Sequence, residues 1–169
     1  MKTAAKTATP ARQLAGFIAK FDPANARLIR QCRAVLRGLF PTAVEIVYDN
    51  YNFFVIGYSA TLRPSDCIVS LAAAANGVGL CFYRGAGLPD PQRLLLGNGR
   101  QTRFVRLPEP GVLKSSGVTA LIQAAVAQAK TPLARSGGAR TIIKSISARQ
   151  RPRRRASVLP HKAHAFKLL

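Results

Sequence analysis

Apolar residues recur along this chain at two spacings, one helical and one strand-like. Between Asp22 and Leu39 the apolar set is Leu28, Ile29, Cys32, Val35, Leu36 and Leu39. At about 100° per residue these fall within one arc roughly 120° wide, the buried stripe of an amphipathic helix. Asp22-Pro23 opens that helix as N-cap and first helical residue, and Pro41 closes it. Val118, Leu121, Ile122, Ala125, Val126 and Ala129 repeat at i, i+3, i+4, i+7, i+8 and i+11. They predict a second such helix, begun at Ser115 or Ser116 and stopped before Pro132. Arg12–Phe21 predicts a short helix ahead of both.

The intervening chain reads as strands. Phe53–Ser59, Cys67–Ala74, Val78–Tyr83 and Arg103–Leu107 are short apolar runs bounded by turn residues. Pro41–Tyr48 reads both ways: Val44, Ile46, Val47 and Tyr48 favour strand, while Pro41 before Thr-Ala-Val-Glu suits a turn of helix. Asn76-Gly77 is a favoured hairpin pair, with a slightly longer connection from Ala75 as the alternative. Asp90-Pro91 suits the cap of a short helical turn over Gln92–Leu95. Helix, antiparallel strands, then helix is the pattern of an α+β fold, an antiparallel sheet with helices packed on one face.

Composition divides the chain further. Residues 1–11 read as a disordered N-terminus, 12–130 as the α+β domain, and 131–169 as a basic, largely disordered tail. Within the tail, Thr141–Ser147 carries Ile142, Ile143 and Ile146 and is the part expected to order briefly. No apolar run reaches 18 residues, so no transmembrane helix is expected. Cys32, Cys67 and Cys81 are odd in number and lack metal-type spacing. A reducing cytoplasm is the simplest setting.

Charge changes the picture more. The chain has 26 Lys and Arg against six acids, a formal charge of +20. The acids are Asp22, Glu45, Asp49, Asp66, Asp90 and Glu109, so the tail has none. Such asymmetry points to nucleic acid or another polyanion as partner. On the Asp22–Leu39 helix, Arg27, Arg30, Arg33 and Arg37 fill the arc opposite the apolar stripe. No acid is interleaved, whereas a merely solvated face usually pairs Glu at i,i+4. Together with Arg149, Arg151, Arg153, Arg154 and Arg155 of the tail, they form the candidate polyanion-binding set. A solvated helix face and a solubilising tail are the plainer reading of the same residues.

Catalytic readings fail on inventory. His161 and His164 both lie in the tail, so a Ser-His-Asp or Cys-His set needs the tail folded back onto the core. Clustered zinc ligands are missing. The scattered acids are expected to cap helices or pair with arginines. No catalytic residue, metal-ligand set or cofactor site is therefore expected, and the chain reads as non-enzymatic. The turn Gly97-Asn98-Gly99-Arg100 offers successive backbone N–H groups to an anion. It lacks the spacing of a P-loop, and a strand follows where a dinucleotide fold has a helix. Strand parity puts Arg100 and Arg106 on one face and Arg103 on the other.

Several stretches, in order between Leu14 and Lys130, resemble the YdhG-like family of small bacterial domains of unknown function. They are Phe40-Pro41 with Glu45, Val47-Tyr48-Asp49-Asn50-Tyr51-Asn52, Ser65-Asp66 before Ser70-Leu71, Gly85-Ala86-Gly87-Leu88-Pro89-Asp90-Pro91, and Leu96-Gly97-Asn98-Gly99 with Arg103 and Arg106-Leu107. Thr141–Ile146 also looks like the end of some members. The resemblance implies a compact α+β domain. It also implies a second functional reading, since some members are proposed as frataxin-like iron chaperones. That reading is a small-molecule or metal-binding domain with a pocket at Tyr48, Asp49, Asn50, Asn52, Asp66, Asp90 and Arg100. Clustered carboxylates serve such a role, and here the six acids are dispersed.

Overall fold

Helix starts follow the caps written in the sequence. The computed structural model describes residues 7–157; the disorder expected of residues 1–6 and 158–169 lies outside the described residues. Helix α1 (Pro10–Ala19) begins at Thr9, whose Oγ1 accepts the Arg12 N–H at 3.3 Å. Helix α2 (Pro23–Leu39) begins at Asp22, whose carboxylate accepts the Asn25 N–H at 2.9 Å. Its apolar stripe is buried through Ile29, Cys32 and Leu36. Each aliphatic side chain so buried contributes about 1.5–3 kcal/mol. Helix α3 (Ser116–Ala127) buries Val118, Leu121, Ile122 and Ala125.

Six strands form one sheet: β1 (Val44–Asp49), β2 (Phe54–Ser59), β3 (Cys67–Ala74), β4 (Gly77–Phe82), β5 (Arg103–Arg106) and β6 (Arg140–Ile146). Their order is β5-β4-β3-β2-β1-β6. The first five are antiparallel neighbours, and β6 lies parallel to β1, which makes the sheet mixed. The stretch Pro41–Tyr48, legible as helix or strand, is strand from Val44, where β-branched residues pair with β2. Ala75 and Asn76 make the β3–β4 turn, and Gly77 takes the positive φ of 142°.

Besides the parallel edge strand, other sequence expectations change. Helix α1 spans Pro10–Ala19, not Arg12–Phe21, and so begins inside the stretch expected to be disordered, because Thr9 caps it and Pro10 suits its first position. No helical turn forms over Gln92–Leu95. The Asp90 carboxylate takes the N–H groups of Leu94 and Leu95 at 2.9 and 2.8 Å, Arg93 adopts a φ of 54°, and Leu96 pairs with Phe104 instead. The basic tail enters the fold: Arg140–Ile146 is strand β6, and Ile143 packs against the core beside Val47. Beyond it, the Ser147 N–H bonds the Asp49 carbonyl and the Arg151 N–H bonds the Tyr51 carbonyl, each at 2.9 Å. A free β1 edge, with unpaired backbone donors and acceptors, is what β6 satisfies.

Alternation along the strands separates two faces. Val47, Ile56, Leu71, Leu80 and Val105 align in one row across β1–β5, all buried beneath the helices. The opposite face carries the row Tyr48, Val55, Ala72, Gly79 and Arg106, with Phe104 two residues before Arg106 on β5. Close packing also needs Gly85, where a Cβ would lie 2.6 Å from the Cβ of Arg103.

Candidate functional site

Two carboxylates four positions apart on β1 point the same way as Val47, into the protein. Glu45 and Asp49 are both fully buried. Glu45 is held by a two-pronged contact from Arg33, Nε to Oε1 at 2.9 Å and Nη2 to Oε2 at 2.7 Å. The Thr141 hydroxyl of β6 donates to Oε2 at 2.6 Å, and the Tyr58 hydroxyl lies 3.3 Å from Oε1. Arg37 stands 3.8 Å away. Burial alone pushes the Glu45 carboxyl up, but the Arg33 and Thr141 hydrogen bonds and the charges of Arg33 and Arg37 hold it below its ordinary value.

Asp49 is clamped from two directions. Lys20, at the end of α1, places Nζ 2.5 Å from Oδ2, and Arg153 places Nη2 2.9 Å from Oδ1. Arg153 is itself buried. It donates to the carbonyls of Asn52 at 3.0 Å and of Asn50, and lies 5.9 Å from the centroid of the Phe21 ring. Its Nε is buried without a hydrogen-bond partner. Gln150 bridges the group, accepting from Lys20 at 2.8 Å and donating to the Asp49 carbonyl at 3.0 Å.

These contacts divide the nine arginines singled out by sequence. Arg33 and Arg37 turn toward Glu45, and Arg153 is interior. Arg154 donates to the Lys20 carbonyl at 3.2 Å and Arg155 to the Asn76 carbonyl at 3.4 Å, while both remain exposed. Arg27, Arg30 and Arg149 are exposed with no carboxylate partner among the described residues. Arg151 is exposed and lies 5.7 Å from the Tyr51 ring centroid.

The seven pocket residues do not converge. Asp49, Asn50 and Asn52 come together, but around the guanidinium of Arg153, which fills the space between them. Tyr48 is on the opposite sheet face. Asp66 precedes β3 at the other end of the sheet, a six-residue strand length or roughly 20 Å from Asp49. There it accepts from the Thr61 hydroxyl at 2.6 Å. Asp90 caps the turn after Pro91. Arg100 belongs elsewhere again, in a cleft of about 530 Å³ that it lines with Arg84, Lys130, Tyr83, Gln101 and Gln128. No acid lines this cleft. Arg103 braces the loop beside it, donating to the Thr102 carbonyl at 2.9 Å and to the Gly99 carbonyl. Arg84 and Lys130 lie far from Arg100 in sequence, and no local pattern marks them as its partners.

Nucleophilic chemistry finds no activated thiol. Burial raises Cys32 to about 11 and Cys67 to about 12, and raises Cys81 as well. Among the described residues, no three of His, Cys, Asp and Glu come together as a metal-ligand group. No helix of the described residues is long and apolar enough to cross a membrane. No family model matches the chain, and no curated protein or solved structure is similar enough to it to count as a match.

Proposed function

We propose that this chain is a non-enzymatic, cytoplasmic binding protein whose partner is a polyanion, nucleic acid in the first place. One observation carries the reading. The two buried carboxylates are neutralised from within by Lys20, Arg33, Arg37 and Arg153, while the other described Lys and Arg side chains have no carboxylate partner among the described residues. The positive charge is thereby delivered to the surface, including the acid-free cleft of Arg84, Arg100 and Lys130. Arg27 and Arg30, not the whole arginine stripe, are the contribution of α2. The three thiols are free, as a reducing compartment keeps them. Kinship with YdhG-like domains is part of the same proposal, and it extends to fold alone.

Binding to DNA or RNA is expected to weaken linearly in log–log terms as salt rises, with a slope of about −0.7 to −0.9 per phosphate contacted. Replacing Arg27, Arg30, Arg100 and Lys130 together by Gln should flatten that slope by two to four contacts' worth, roughly one unit per lost contact. Absence of binding near 0.1 M salt defeats the proposal. Tight stoichiometric iron on the purified chain would favour the metal-binding alternative.

A further inference from the structure

We infer that the helix-free face of the sheet is a stacking platform for the unpaired bases of a single-stranded nucleic acid, whose phosphates meet the arginines at its rim. This rests on the polyanion reading and specifies the form of the ligand. The floor is made of small residues in the middle strands, among them Ala72 and Gly79 in one cross-strand row. Phe53 stands above it, 49% exposed, and lines two grooves of about 200 and 250 Å³. An aromatic side chain half in water, placed between two shallow grooves, is costly to leave bare and suited to a flat ring.

Phe104 forms the far wall. Its ring sits against Gly97, where an added Cβ would approach it to 3.4 Å, and the Arg106 guanidinium lies 5.8 Å from its centroid. Arg151 bounds the second groove. Neither groove is lined by an acid. Aromatic faces interleaved with arginines bind single strands because every base has a π-face and every linkage a phosphate. A duplex hides its base faces and would reach the rim alone.

Charge decides between occupants. A second copy of this chain would bring another +20 to a cationic rim. Residues 158–169 contain Lys162 and Lys167 and no acid, so they offer the rim arginines no side-chain counter-charge. A single strand supplies both rings and negative charge.

The test compares three fluorescently labelled ligands of about 12 nucleotides per strand, the duplex therefore carrying twice the phosphates of the other two. They are a mixed-sequence single strand, its abasic backbone and a duplex. The full chain is expected to bind the single strand about ten-fold more tightly than the abasic backbone. Phe53→Ala should remove most of that ratio and leave the salt slope unchanged, whereas Arg106→Gln should lower the slope. Phe104→Leu is a second variant on the opposite wall, and thermal melting confirms that each variant folds. Equal affinity for the single strand and the abasic backbone overturns the platform and leaves the polyanion reading standing. No binding to any of the three overturns both. A Phe53→Ala change in oligomeric state without a change in the ratio assigns the face to a second copy of the chain and overturns the platform.

Discussion

At Glu45, burial and pairing act in opposite directions on one carboxyl group. Burial raises its affinity for a proton, but the Arg33 fork, the Thr141 hydroxyl and the Arg37 charge outweigh that and lower it. Arg33 shows the complement: burial lowers it, and the hydrogen bond and charge of Glu45 raise it overall. The folded carboxyl thus titrates below the unfolded value of about 4.3. Its contribution to stability is present above that value and is lost as pH falls through the folded value. Urea unfolding as a function of pH should show this acid limb, and Glu45→Gln should flatten it. Arg33→Met at neutral pH is expected to cost about 3 kcal/mol, because it leaves a buried carboxylate underpaired. An unchanged midpoint would mean that Arg37 and Thr141 suffice. The pairing of acids with cations was legible from their numbers, six Asp and Glu against 26 Lys and Arg. Which arginine meets which acid was not, because Arg33 shares its stripe with Arg27 and Arg30, and only the placement of β1 under α2 separates them.

Among the elements, β6 departs furthest from the composition that encodes it. Arg140–Ile146 sits in an acid-free basic segment, the signature of disorder, yet Ile142 and Ile143 with Thr141 are enough to dock it on β1. The docking serves three needs at once: a backbone edge, a hydroxyl for Glu45 and, a few residues on, Arg153 for Asp49. A chain ending at Gly138 is therefore expected to be less stable than one ending at Ser157 by about 3–5 kcal/mol, the cost of stripping partners from buried charges. Equal denaturation midpoints for the two would show β6 and Arg153 to be passive. Deleting the whole basic segment is consequently not a clean test of its charge. Helix α2 was readable to the residue and α3 to within about a turn at its C-terminal end, which stops at Ala127, ahead of Pro132, since start signals and a 3.6-residue period are local. Strand β6 was not, because its partner lies about a hundred positions earlier and a parallel edge pairing leaves no periodic mark.

For the molecule as a whole, +20 charges on one small domain repel each other in the folded state. Raising ionic strength from a few millimolar to 0.15 M shortens the screening length to about 8 Å. The melting temperature should therefore rise with salt over the range in which polyanion affinity falls, and calorimetry beside a binding titration would show the two opposite trends. A melting temperature that falls with salt would mean that the ion pairs outweigh the surface repulsion. The sequence by itself determined the α+β class, the presence of the three helices and the limits of α2, most of the strands and the excess of positive charge, because stripes, caps, turns and net charge are properties of neighbours and of sums. The tertiary structure alone decided which cations are spent inside and which face outward. It placed Arg153 on Asp49, Arg33 on Glu45, and Arg100 beside Arg84 and Lys130. Each of these is a meeting of distant residues, set by strand register and by the side from which a helix approaches, and neither is written in any single stretch of the chain.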